Sequence, residues 1–191
     1  MAHVEAEFVQ RKPVQHLLIN QMSRNFEYLL HKTETESHMK LRRGLPSDIP
    51  FIYRLEKQYI EELENDQLTK WQGNIERHLE QWISSLPQTT IAQLQGTRAG
   101  YLFWEREGEK ALIASVNVAT ECRRKGVGLA LVESFESEAR LAGCSVAELG
   151  FVTHNPARYL YEKCGYQPSG MEGRYLLMTK CLGTLGLKGF D

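Results

Sequence analysis

The chain predicts an α/β (α+β) domain, and three observations carry that prediction. Strand-like and helix-like segments alternate from Met39 to Leu182. An apolar strand, Ala111 to Val118, runs into a glycine-bearing turn, Arg123-Arg124-Lys125-Gly126-Val127-Gly128, and then into a helical stretch. A second helix signal opens at Asn155-Pro156 and closes at Gly165. At 191 residues, with 42% hydrophobic and 25% charged side chains, the chain can bury one sizeable core.

The elements follow in order. Val14, Leu17, Leu18, Met22, Phe26, Leu29 and Leu30 share one side of a helix starting near Pro13, and Lys32 to Ser37 reads as a polar linker. Residues 1–38 therefore read as an added helical extension, packed on the domain or on a second copy of the chain in a homodimer. Met39 to Arg43 alternates as a strand. Ser47 is placed to cap a helix carrying Ile52, Leu55, Tyr59 and Leu63. A second helix carries Trp71, Ile75, Leu79 and Trp82 and stops before Pro87. Thr90 to Gln95 and Gly100 to Trp104 are strands around a turn at Gly96-Thr97-Arg98. A polar turn at Gly108 leads to the Ala111–Val118 strand, and the helix after the glycine turn runs from about Leu129 to Ala142. Gly143 is placed to end it as a C-cap. Ser145 to Val152 is a buried strand, the Asn155 helix follows, and Tyr166 and Arg174 to Leu182 supply two closing strands. The order is β-α-α-β-β-β-α-β-α-β-β, a domain over residues 39–182 with a tail at 183–191.

Several function classes are disfavoured by totals alone. A net charge of −1 does not suggest nucleic-acid binding driven by bulk charge. No apolar run approaches the length needed to span a bilayer, and the polar face of the extension is not basic enough for a membrane-surface helix. Met1 to Glu7 lacks the basic region and apolar core of a signal peptide. Cys122, Cys144, Cys164 and Cys181 have neither metal-site nor Cys-x-x-Cys spacing, so no metal is expected and reduced thiols in the cytoplasm are.

The glycine turn is the most specific chemical signal. Glycines let the backbone turn tightly and approach a ligand closely. The free N–H groups of a helix N-terminus then favour an anion, and Arg123, Arg124 and Lys125 strengthen that bias. A nucleotide-triphosphate loop would need Lys and Ser/Thr after its second glycine, and these are missing. A dinucleotide fingerprint needs three spaced glycines, and Gly126 and Gly128 supply two.

The pattern that remains, Arg/Gln-x-x-Gly-x-Gly/Ala after a strand, resembles the pyrophosphate loop of the GCN5-related N-acetyltransferases (GNAT). Downstream, His154-Asn155-Pro156-Ala157-Arg158-Tyr159-Leu160-Tyr161-Glu162-Lys163-Cys164-Gly165-Tyr166 resembles the same family's Asn-x-Ala…Leu-Tyr-x-x-x-Gly-Phe/Tyr segment. It has its own logic: Asn155 as N-cap, Pro156 in the first turn, Ala157, Leu160, Tyr161 and Cys164 on one face, and Gly165 as the stop. The resemblance covers residues 39 to 182. It implies a mixed, mostly antiparallel sheet flanked by helices on both faces, and acetyl-CoA as the acetyl donor. It places the pantetheine arm along Val116, Asn117 and Val118. The pyrophosphate falls on the loop from Arg123 and Arg124 through Lys125, Gly126, Val127 and Gly128 to Leu129, with Asn155 nearby. Thr120 departs from the proline the family often carries there.

Acetyl transfer to an amine needs the thioester held beside a neutral amine, donors for the oxyanion and a proton for the leaving thiolate. The resemblance makes Tyr161 the general acid, while a residue merely packed on the apolar helix face is the alternative. No base stands out. Glu148 and His154 are candidates, and water-relayed deprotonation is compatible with the chain. Glu61, Glu62, Glu64 and Asp66 cluster at the end of the first helix, where they would attract a cationic amine or form a solvated acidic turn. The expected activity is N-acetylation of a primary amine, either a small molecule or a peptide N-terminus. A non-catalytic CoA-binding regulatory module is the alternative, and Tyr161 is a residue such a module has no need to keep.

Overall fold

The computed structural model describes residues 39–183. The extension predicted at residues 1–38 and residues 184–191 of the tail lie outside the described residues. Strands β1 (Met39–Arg43), β2 (Thr89–Leu94), β3 (Thr97–Glu107), β4 (Lys110–Val118), β5 (Val146–Val152), β6 (Gln167–Glu172) and β7 (Tyr175–Cys181) form one sheet. Helices are α1 (Ile49–Leu63), α2 (Leu68–Gly73), α3 (Ile75–Ser84), α4 (Val127–Leu141) and α5 (Arg158–Lys163). The sheet order is β1-β2-β3-β4-β5-β7-β6, antiparallel throughout except for the parallel pair β4–β5. This is the mixed, mostly antiparallel sheet expected from the resemblance.

Neighbouring residues of β3 show that both faces are covered. Successive side chains on a strand point to opposite faces. A Cβ on Gly100 would lie 3.2 Å from Val127 and 3.3 Å from Leu131, so α4 covers that face. The Tyr101 hydroxyl donates to Glu56 of α1 at 2.6 Å, so α1 covers the other. The alternation continues. Trp104 meets Phe135 of α4 edge-on at 5.7 Å, while Phe103 stacks on Tyr101 at 6.3 Å on the α1 side.

Predicted helix boundaries differ at α1 and across α2 and α3. The helix expected through Trp71 and Trp82 is two helices, α2 and α3, broken at Gly73-Asn74. Both residues are poor helix formers, and the Asn74 side chain donates to the Lys70 carbonyl at 2.7 Å, a local bond that competes with the helix ladder. Ser47 does not cap α1. It lies in a 3-10 turn, Pro46–Asp48, and Asp48 holds the N-cap position without a side-chain capping bond. The Asp48 carboxylate instead accepts from the Leu45 N–H, Arg42 and Arg98. The predicted stops are present: Gly143 and Gly165 have φ of +81° and +87°, and each is followed by an N–H bonded five residues back, Cys144 to Ala139 and Tyr166 to Tyr161.

Candidate active site

The site begins where two strands part. β4 and β5 pair only from Lys110–Val146 to Ile113–Leu149. β4 continues five residues further to Val118, and β5 three further to Val152. The register between β3 and β4 shifts at this point, Phe103 facing Ser115 and Trp104 facing Ile113, which leaves Ala114 as an extra residue. Such a bulge bends the strand that carries it. The Ala119 N–H bonds to Ala99 of β3, so by antiparallel alternation the polar backbone groups of Asn117 also face β3. Those of Val116 and Val118 therefore face the gap.

A cavity of about 270 Å³ lies at this gap, between β4, β5, α1, α3 and α5. Tyr161, Asn155, Val116 and Asn117 line it. Tyr161 is 5% exposed, its ring 5.3 Å from Phe151 and 6.1 Å from Tyr166. Burial, with a smaller contribution from Cys164, pushes its phenol well above the ordinary value. The proton is therefore retained across the physiological range. Tyr159, two residues earlier, points to solvent. Asn155 is not the N-cap expected from the sequence: α5 starts at Arg158 with Ala157 at its N-cap, and Asn155, on the cavity wall, accepts from the Ala157 N–H at 2.8 Å in the turn before the helix. The Asn117 side chain donates to the Tyr101 hydroxyl at 3.0 Å.

That hydroxyl belongs to a network that sequence reasoning missed. Tyr101 at 2.6 Å and Ser115 at 2.7 Å both donate to Oε1 of Glu56. Among the described residues no donor reaches Oε2. Glu56 lines the cavity, and burial raises its pKa from 4.5 against the opposing effect of the Ser115 and Tyr101 bonds, with Glu64 adding to the rise. A carboxylate held in this way is a stronger base than a free one, as proton abstraction requires. A signal was available in the sequence. Glu56 stands four residues from Ile52 and four from Ile60, a charge on the buried side of an amphipathic helix.

The other base candidates point away from the cavity. Glu148 pairs with Lys110 at 3.0 Å, and exposed His154 lies 3.0 Å from the Leu63 carbonyl. The acidic group at the end of α1 also separates. Glu61 pairs with Lys57, Glu62 with Arg123 at 3.1 Å, and Asp66 with Arg174 at 2.6 Å. Only Glu64 turns inward, 4% exposed and accepting from the Tyr175 hydroxyl at 2.6 Å.

The glycine loop leads from β4 into α4. Gly126 has φ +81° and open space where a Cβ would be, so backbone conformation is what demands glycine there. Arg124 takes φ +63°, a left-handed conformation costing a non-glycine residue on the order of 1 kcal/mol. Gly128 has a different reason. A Cβ there would come within 3.0 Å of Leu160, so this glycine admits α5 against the first turn of α4. No side chain caps α4, and among the described residues no backbone N–H from Arg124 to Leu129 has an acceptor. These orphan donors, with exposed Arg124 and Lys125, suit a pyrophosphate. Arg123 is partly engaged, pairing with Glu62 at 3.1 Å and donating to the Val118 carbonyl at 3.4 Å. A larger groove, about 620 Å³, lies on the α4 side. Its charged groups answer one another, as in Arg43–Glu138 at 2.6 Å, and it holds no part of the gap.

Residues 52–166, more than half of the chain, match the model of the acetyltransferase (GNAT) family. The chain belongs to the GNAT family. Acetyl-CoA is the donor that family uses. The structure is similar to that of the PaiA N-acetyltransferase of Thermoplasma acidophilum in complex with coenzyme A, at TM-score 0.66 and 17% identity, covering 75% of this chain and 98% of that one. It is also similar to Ard1 of Thermoplasma volcanium, at TM-score 0.59 and 22% identity over 78% and 99%. A third is YncA of Salmonella typhimurium, described as a putative acetyltransferase with its cofactor acetyl-CoA, at TM-score 0.57 and 17% identity over 81% and 99%. Identities this low speak for the fold. No curated protein matches the chain by sequence. Among the described residues no helix is long and apolar enough to cross a membrane.

Proposed function

We propose that this GNAT protein transfers an acetyl group directly from acetyl-CoA to a primary amine, a small molecule or a peptide N-terminus. One observation carries the reading. Glu56 and Tyr161, a carboxylate of raised pKa and a buried phenol, border one cavity beside β4 backbone that β5 no longer pairs. In the proposed reaction the Gly126 loop, from Arg123 to Leu129, holds the pyrophosphate. The gap-facing backbone of Val116 and Val118 holds the pantetheine arm, and an N–H there stabilises the carbonyl oxygen as negative charge develops. Oε2 of Glu56 takes a proton from the acceptor ammonium. The neutral amine attacks the thioester carbonyl, the carbon–sulfur bond breaks, Tyr161 supplies a proton to the leaving thiolate, and the nitrogen, cationic after attack, releases its second proton, which restores the Tyr161 phenol. Asn155 holds the turn that presents α5. A binding module that catalyses nothing would have no use for this pair of groups.

The domain we assign spans residues 39–182, with residues 1–38 and the tail as appendages. We place it in the cytoplasm, in keeping with the four free cysteines. The test is thiol release from acetyl-CoA in the presence of a panel of amines. Tyr161→Phe keeps the ring and removes the proton, and kcat is expected to fall about 10- to 1,000-fold with acetyl-CoA affinity unchanged. A folded variant with parental kcat, under conditions where chemistry limits the rate, removes Tyr161 from the mechanism.

A further inference from the structure

Two buried carboxylates away from the cavity are each answered by two cations. Asp48 pairs with Arg42 at 2.6 Å and Arg98 at 2.7 Å, and Glu136 with Lys180 at 2.6 Å and Arg140 at 3.3 Å. Glu64 is as deeply buried as Glu136, yet among the described residues it has no ion pair. Its hydrogen bond comes from the neutral Tyr175 hydroxyl. It also stands at the C-cap of α1, where the helix dipole disfavours negative charge. Arg174 feels the Glu64 charge but is bound to Asp66 at 2.6 Å, so no cation of the described residues pairs with Glu64 directly, and a ligand cation would lower the cost of burying it.

The rest of the wall points the same way. No Lys or Arg lines the cavity. His78 is the single lining residue that could carry positive charge. Burial, with Arg77 nearby, lowers its pKa from 6.5, so it is neutral at physiological pH. Trp71, His78 and Trp82 form a stack, His78 lying 5.6 Å from one ring and 6.0 Å from the other, and Phe103 also reaches the cavity. Aromatic faces attract cations. A carboxylate on the acceptor would meet Glu56 and Glu64 with no lining cation to neutralise it. At about 270 Å³ the space lies just below the usual range for small-molecule pockets, about 300 to 1,000 Å³.

Resting on the acetyl-transfer reading above, we propose that the acceptor is a compact amine with a second positive charge and no carboxylate. Glu56 receives the reacting nitrogen, and Glu64 with the Trp71 and Trp82 rings holds the second charge. Glu56 and Glu64 are eight residues apart along α1, a rise of about 12 Å, and their flexible side chains face one cavity. The spacing suits a diamine with several carbons between its nitrogens.

The probes are 1,4-diaminobutane, n-butylamine, β-alanine and a short peptide beginning with Ala. Each is titrated by calorimetry into full-length protein saturated with CoA, and each is assayed for thiol release from acetyl-CoA. Binding of the diamine at least about tenfold tighter than butylamine is expected, with β-alanine and the peptide weaker still. Glu64→Gln, which keeps the shape and can still accept from Tyr175, is expected to shrink the diamine-to-butylamine ratio at least about fivefold. Preference for β-alanine or the peptide overturns the proposal, as does equal binding of the two alkyl amines. These comparisons use the parent protein and stand even where Glu64→Gln does not fold. A folded variant with the parental ratio overturns it too. Diamine binding without thiol release upholds the charge assignment and defeats the transfer reading. Thiol release with carboxylate-bearing acceptors alone does the reverse.

Discussion

Asp48 at the foot of α1, fully buried, and Glu56 in its middle, half-buried on the cavity wall, are treated in opposite ways. Burial pushes the Asp48 pKa up, but bonds from Arg42, the Leu45 N–H and Arg98 outweigh it and leave it below 3.8. Burial pushes the Glu56 pKa up as well, and the hydroxyls of Ser115 and Tyr101 do not bring it back. The first arrangement fixes a charge and ties β1, β3 and α1 together. The second keeps a carboxylate that can exchange a proton, at the point where β4 leaves β5. A charge answered by cations within the fold marks scaffold; a charge answered only by hydroxyls, beside a cavity, marks chemistry.

The largest effect that tests this contrast is on catalysis. Glu56→Gln keeps the volume and can still accept from Tyr101 and Ser115, while losing the proton-accepting oxygen. The kcat/KM for the amine should fall about 100- to 1,000-fold, a common cost for a lost general base. Its acidic limb should also disappear. In the parent, activity should rise with pH through the raised pKa of Glu56, because only the ionised carboxylate accepts a proton. A folded Glu56→Gln protein with the parental pH–rate profile would return the base to water and leave Glu56 as a structural residue.

The two halves of the molecule were unequally legible in the sequence. Glycine turns, apolar alternation and helix stops are local signals, so the element order and the loop between β4 and α4 could be read residue by residue. Glu56 stood on the apolar side of a recognisable helix, but its meaning depends on Tyr101 and Ser115, 45 and 59 residues away, and no local pattern connects them. The acidic group 61–66 was ambiguous for the same reason. Its sequence shows four carboxylates together, while Lys57, Arg123 and Arg174 neutralise three of them and only Glu64 turns inward. Gly128 was read for ligand approach, whereas the structure puts Leu160 where its side chain would be. The parting of β4 from β5 depends on a bulge at Ala114, which alternation alone does not mark.

An intermediate effect is expected at the scaffold end of the comparison. Asp48→Asn removes the charge that holds Arg42 and Arg98, and leaves two guanidinium groups facing each other. Both are partly exposed, so water absorbs some of the loss. A destabilisation of about 2 kcal/mol is expected, a fall in Tm of about 4–8 °C for a chain of this size. Thermal unfolding at neutral pH measures it. The folded fraction should keep its kcat, since Asp48 lies outside the cavity. A drop in kcat matching that of Glu56→Gln would erase the distinction between the two carboxylates.

The smallest effect is the most diagnostic, because its sign differs between the two positions. Asp48 has a folded pKa below its unfolded value, so it stabilises the fold above about pH 4, and that contribution is lost as pH falls through the folded pKa. Asp48→Asn should therefore be less stable than the parent at pH 7 and approach it as the solution is acidified. Glu56 has a folded pKa above its unfolded value, so the folded state holds its proton more tightly. Its ionisation lowers stability as pH rises from about 4.5 through the raised pKa. Glu56→Gln carries no such penalty. Measured against the parent, its Tm should be similar or lower near pH 4 and should gain steadily toward pH 8, by a degree or two. Two difference curves, one for each variant, should thus run in opposite directions with pH. Parallel curves would mean that Glu56 is held ionised like Asp48, by a partner other than the two hydroxyls. It would then be too weak a base to deprotonate the acceptor.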